Sequence, residues 1–355
     1  MADQIVFLLH GMGTQSEGWH KSWVKVLEDA YKRYPRMQDR PFETRFEFVP
    51  ITYDTIFRQT VEDWQSNAKA LSAAGITGIG RKLTGWLEDA GELKGNFAWT
   101  HAADVLLWKL FDLVHERVCV VAADEIKKKL LAAGPGSNWS IIGHSLGTSV
   151  LHDTIARLWA GDSIFARDHR ARLIAMVANV SRVLEQKKDL PQGVVGDVLR
   201  SPVRPGVACN FFLNLEHPLD PFVWPRRFHP VSWPDQPTLA ANPPRYIHSA
   251  DEDIRGRSYA LDHIHSEEVH SFEHYLVSPK AHIPLFRMLL AEDGFIPPDD
   301  ELRNRDRFLR FGELGDEAAI RIKVALEGIG ASENMEWEDI GMLWKKLSKI
   351  SRKRP

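Results

Sequence analysis

The chain has 355 residues, enough to bury a large core, and an open α/β sheet of this size often forms one domain. Its 45 basic and 48 acidic residues leave a formal net charge of −3, so the whole-protein field gives no reason to expect nucleic-acid binding. No apolar run nears the roughly 20 residues that span a bilayer, and the short N-terminal apolar stretch lacks a signal peptide's basic start and long core. With only 2 cysteines, too few for a disulfide framework, a cytoplasmic protein with Cys119 and Cys209 as buried reduced thiols is expected.

Ile5-Val6-Phe7-Leu8-Leu9 reads as a buried strand that stops at His10-Gly11-Met12-Gly13. Trp19 to Tyr34 follows as a helix with Trp23, Val26, Leu27 and Ala30 on one face, and Arg45 to Tyr53 suits a second strand. Strand, helix and strand in that order imply a parallel crossover. Residues 58–96 combine an amphipathic start with a glycine-dense middle, Gly75, Gly78, Gly80, Gly85 and Gly91, among Ile76, Ile79 and Trp86. They read as an insertion over the active site serving as a lid, with a loosely packed helical hairpin as the alternative.

From Ala102 to Leu131, apolar residues at 106, 110, 114, 118, 122, 126 and 130 recur at the spacing of one or two long helices, which Gly134-Pro135-Gly136 ends. Ile141 and Ile142 then close a strand that breaks at Gly143-His144-Ser145-Leu146-Gly147, and Val150, Leu151, Ile155 and Leu158 recur at helical spacing beyond it. Strand, tight turn and helix in this order expose one serine hydroxyl above a sheet, the geometry of a nucleophile elbow. An ordinary turn with a serine cap is the alternative.

Leu173 to Val180 reads as the next strand, 184–208 as a loop excursion at the sheet's carboxyl edge, and Phe211 to Leu215 as a further strand leading into His217-Pro218-Leu219-Asp220-Pro221. Prolines from Pro225 to Pro244 make an extended connection. A core helix around Ile283 to Leu290 closes a domain spanning 1–295, and 296–355 form a helical extension. Its last helix carries Trp337, Ile340, Trp344 and Leu347 on one face beside Lys345, Lys346, Lys349, Arg352, Lys353 and Arg354, a pattern that serves a peripheral membrane or protein contact, or simply packing with a solvated basic face.

A serine hydroxyl needs an adjacent base, which must itself be oriented, and in a strand-elbow-helix hydrolase acid and histidine follow the serine in that order. Asp220, at a strand end and flanked by prolines, is the acid candidate, with Glu216, Asp189 and Asp197 as competitors. His263, His265, His270, His274 and His282 crowd the region where the base belongs. His270 fits best, because Ser271 can cap a helix through Phe272, Tyr275 and Leu276, and His274 is the runner-up. The amides of Met12 and Leu146 are the candidate oxyanion donors.

The segments Val6 to Gly13, Gly143 to Asp153 and His217 to Pro221 resemble those of α/β-hydrolase-fold serine hydrolases, in particular the lipase-like branch that includes intracellular phospholipases A1 of the DDHD type. The resemblance covers residues 1–290 loosely and those segments sharply. It implies a mostly parallel sheet flanked by helices, and an esterase or lipase-like activity on a small-molecule or lipid ester with no metal and no organic cofactor.

Two other readings stand beside it. His270-Ser271-Phe272-Glu273-His274 matches the His-x-x-Glu-His pattern of a zinc metallohydrolase. A hydrolase-fold binding protein without turnover would use the same scaffold for an interaction partner.

Overall fold

The computed structural model describes residues 2–11, 15–73, 112–161, 168–181, 184, 208–217, 220, 222–223, 245–248, 270–290, 300 and 303–304. Its framework comes from apolar runs that are buried along their whole length. β1 (Gln4–Leu9), β3 (Trp139–His144) and β4 (Ala171–Val177) are buried at every position, as strands covered on both faces must be. β2 (Phe46–Ile51) exposes Glu47 and only half-buries the three residues after it, which suits an edge. Its Pro50, which has no N–H to donate, is tolerated there. β5 (Cys209–Leu215) and β6 (Arg245–His248) complete one sheet in the order β2-β1-β3-β4-β5-β6, with every neighbouring pair parallel.

Two groups of helices cover this sheet. α1 (His20–Tyr31) packs on α6 (Phe272–Val277) and α7 (Pro279–Leu289), and α7 lies against β4 and β5. The second group is α3 (Asp54–Ala73), α4 (Asp112–Ala133) and α5 (Leu146–Gly161); α4 packs on α3, α5 and β2, while α5 lies against β3 and β1. Val114, Val118, Ala122, Ile126 and Leu130 form the buried stripe of α4, which ends where Gly134 adopts φ +90° and its N–H returns to the Leu130 carbonyl. Stacked rings of Trp23 and Phe272, with centroids 3.9 Å apart, tie α1 to α6.

The strand order places a reversal between β1 and β3. The chain leaves β1 toward the β2 edge and later returns on the other side to build β3 to β6. At such a point the connections leaving two adjacent parallel strands diverge and open a crevice at their carboxyl ends, where ligands bind in open α/β sheets. His10-Gly11 and Ser145 both lie there.

Several expected boundaries move. The helix expected over Trp19 to Tyr34 stops at Tyr31, because Pro35 disfavours a helical Tyr34, which sits at φ −108°, ψ 84°, and a 3-10 turn (Pro35–Met37) follows. Arg45 belongs to a short helix α2 (Phe42–Arg45) rather than to the second strand. Residues 58–73, read as the start of the insertion, continue the helix that begins at Asp54; 74–96 lie outside the described residues, as do 102–111, 185–207 and 305–355.

Of the extension, Asp300 accepts a hydrogen bond from the Arg36 amide at 3.2 Å, and Asn304 donates to the Arg33 carbonyl at 3.2 Å, so its start rests on the turn after α1. Cys119 and Cys209 are both buried and not disulfide-bonded. Among the described residues no helix is long and apolar enough to cross a membrane.

Candidate active site

The candidate nucleophile stands at the corner between β3 and α5. Ser145 has φ +54°, a conformation a non-glycine residue adopts only when its surroundings impose it. Those surroundings are on both sides: the Ser145 amide donates to the Val177 carbonyl of β4 at 3.1 Å, and the Ser145 carbonyl accepts from the Thr148 amide at 2.8 Å and the Thr148 hydroxyl at 2.7 Å. Thr148 Oγ1 in turn accepts from the Val180 amide at 3.1 Å, which ties the loop after β4 to the same corner.

Glycines let the corner close. A Cβ on Gly147 would lie 2.4 Å from the carbonyl oxygens of both Leu9 and His10, and one on Gly11 would lie 3.0 Å from Ser145 Cβ. The absence of these carbons brings the turn after β1 directly against Ser145.

His270 lies just ahead of the Ser271 cap, whose hydroxyl accepts from the His274 amide and starts α6. Its Nε2 is 2.7 Å from Ser145 Oγ and its Nδ1 is 2.7 Å from Asp220 Oδ2. Since an ionised carboxylate can only accept, Nδ1 carries the proton and Nε2 presents a lone pair to the serine O–H. Burial by itself would raise the Asp220 carboxyl, but His270, together with hydrogen bonds from Tyr275 and the Phe222 amide, outweighs it and holds the pKa below the usual carboxylate value. Asp220 is fully buried and closes a turn in which its amide donates to the His217 carbonyl at 3.0 Å.

Further side chains complete the site that sequence reasoning did not single out. His144, the residue before the serine, donates from Nε2 to the His270 carbonyl at 2.6 Å, so the elbow holds the main chain of His270. The Phe222 ring packs on the His270 ring with centroids 4.3 Å apart. Tyr275 donates its hydroxyl proton to Asp220 Oδ2 at 2.8 Å. Adjacency to Ser145 was the available signal for His144; nothing in local sequence announces that Tyr275 meets a residue more than fifty positions away.

Beside the elbow, His10 donates from Nδ1 to the Gly11 carbonyl at 2.7 Å and stacks on Tyr53 with centroids 4.2 Å apart. Burial pushes the His10 imidazole down to about 4, against the opposing pull of the Gly11 bond and the Asp54 carboxylate. The ring is therefore neutral at ordinary pH. Leu146 opens α5, where the first N–H groups have no partner within the helix and point toward the crevice end. Met12 lies outside the described residues.

The other candidates are placed elsewhere or lie outside the description. His274, the runner-up base, packs edge-on against the His217 ring at 5.3 Å, while His270 takes the contact with Ser145. His282 is buried against Tyr34, with Nδ1 2.5 Å from the phenol oxygen. Glu216 accepts from Asn214 at 3.0 Å within a buried amide network rather than from His270. Asp189, Asp197, His263 and His265 lie outside the described residues.

The His-x-x-Glu-His pattern does not suit a zinc ion, because both ring nitrogens of His270 are already committed to Asp220 and Ser145. Among the described residues no three His, Cys, Asp or Glu side chains are grouped to hold a metal.

No protein-family model, no curated protein and no solved structure matches the chain.

Proposed function

We propose that this chain is a serine hydrolase of the α/β-hydrolase type that cleaves carboxylic or acyl esters through an acyl-enzyme. The observation that carries the reading is the unbroken line of hydrogen bonds Ser145 Oγ, His270 and Asp220 at a corner where the serine takes φ +54°. The order of the three in the chain, serine then aspartate then histidine, is the order of that fold's triad.

Each role follows from the hydrogen-bond directions. His270 Nε2 takes the Ser145 proton as Oγ adds to the ester carbonyl, and Asp220 stabilises the resulting imidazolium and holds its ring. The tetrahedral oxyanion is held by the Leu146 amide at the head of α5 and by an amide of the turn after β1, for which Met12 remains the candidate. His270 then gives its proton to the leaving alkoxide. Water, deprotonated by the same imidazole, adds to the acyl-enzyme, and its collapse returns the proton to Ser145 and releases the acid. A lipid or small-molecule ester with an apolar acyl group is the substrate class that the lipase-like resemblance favours.

Reaction with a fluorophosphonate probe, with the modified residue mapped by mass spectrometry, tests the assignment. Label on Ser145, lost together with ester hydrolysis in Ser145→Ala, is the expected result; hydrolysis that survives Ser145→Ala at the wild-type rate would overturn it. A series of acyl esters graded in chain length then measures the acyl preference.

A further inference from the structure

Asp220 Oδ2 accepts two hydrogen bonds. One comes from His270 Nδ1 at 2.7 Å and the other from the Tyr275 hydroxyl at 2.8 Å, while Oδ1 accepts from the Phe222 amide at 3.0 Å. Tyr275 is itself fixed, because its ring is fully buried and its oxygen accepts from the His217 amide at 3.0 Å. The phenol and the imidazole stand on the same short stretch, on either side of the Ser271 cap. One turn of chain therefore delivers both the base and a competitor for the base's own carboxylate oxygen.

That competition has a chemical consequence. A phenol O–H given to an ionised carboxylate takes up part of its negative charge. The same oxygen then stabilises the imidazolium less, so the base returns its proton more readily. The phenol also fixes the carboxylate's rotation, so Oδ2 stays on the line of the Nδ1–H bond. Burial, then the Asp220 and Glu216 charges, push the Tyr275 hydroxyl well above its ordinary pKa, so it remains a donor throughout any assay range.

We propose that Tyr275 is a positioning residue of the hydrolytic site, one that holds Asp220 and sets the strength of His270 as a base through their shared carboxylate oxygen. This rests on the assignment of Ser145, His270 and Asp220 as nucleophile, base and acid. The ionisable side chains around the phenol are Asp220, Glu216, His217, His274 and, beyond Asp220, His270. Of these, Asp220 accepts the phenol's hydroxyl proton.

The test is the pH dependence of kcat/KM for an ester substrate in Tyr275→Phe, which keeps the ring and removes the oxygen. We expect kcat to fall about tenfold with KM nearly unchanged, and the acid limb to move up by about half a pH unit, because an unshared Asp220 favours the imidazolium. A 3-fluorotyrosine at the same position, a better donor of the same shape, is expected to move the limb down.

In an Asp220→Asn background, Tyr275→Phe should add little further loss. An acid limb that stays in place in both variants overturns the inference, whatever happens to kcat, and the fluorinated protein decides the matter if Tyr275→Phe does not fold. Failure of the underlying reading is separable: it would appear as absent fluorophosphonate label on Ser145 in the unaltered protein.

Discussion

At Ser145 the backbone carries a strain of order 1–3 kcal/mol that only its neighbours sustain. The Val177 carbonyl, the Thr148 hydroxyl and the missing side chain of Gly11 all act on this one residue. The candidate nucleophile was legible because Gly-x-Ser-x-Gly between a strand and a helix has a mechanical meaning. The candidate base was legible only as the best of a crowd, since His270 shares its region with four other histidines that have the same side chain. Among the described ones, position after folding separates them: His282 is spent on Tyr34, while His270 faces Ser145. Asp220 determines which ring nitrogen carries the proton. Asp220→Asn keeps the shape but lets the amide bond the wrong tautomer, so kcat for ester hydrolysis is expected to fall by about 10⁴. A loss below tenfold in steady-state assays would move the acid elsewhere.

Among the elements, the contact between the head of α5 and the end of β1 decides whether a site forms. Gly147 allows it, since any Cβ there would lie 2.4 Å from two backbone oxygens that cannot rotate away. Gly147→Ala is therefore expected to cost about 3 kcal/mol or more of stability, measured by urea unfolding, with hydrolysis lost even where the protein remains folded. A cost under about 1 kcal/mol would show that the helix can retreat without penalty, against the close packing described. The long runs of β1, β3, β4 and α4 were readable because burial on both faces, or a helical stripe, leaves a periodic mark. Helix ends were less readable. The α2 turn and the stop at Tyr31 depend on Pro35, Pro41 and their partners, and no periodicity reports them.

Across the whole molecule, buried ionisable groups set the response to acid. His10 is held near 4, and burial, aided by the charge of Arg33, holds His282 well below its usual value. Between about pH 6.5 and 4 the unfolded chain binds protons that the folded chain refuses, so stability falls as pH falls through that window. His282→Asn is expected to flatten the stability-against-pH slope on the acid side of the ordinary histidine range, read from urea unfolding; an unchanged slope would refute it.

Below that window a different cluster takes over. Asp153, in α5, joins His115 Nε2 at 2.8 Å and His152 Nδ1 at 2.7 Å. Burial alone would raise its pKa, but the bonds from the two imidazoles outweigh it and lower it to about 2. Its contribution, complete above its ordinary value, is lost as pH falls from about 4 toward 2.

Sequence alone determined the α/β class, the main strands and helices, and the residue types capable of the chemistry, because periodicity and turn composition are local consequences of burial and backbone sterics. Only the tertiary structure decided which histidine meets the serine, that Glu216 turns into an amide network, and that Tyr275 reaches Asp220. Those outcomes depend on where residues distant in the chain come to rest, and the order of the strands rather than any local pattern sets that.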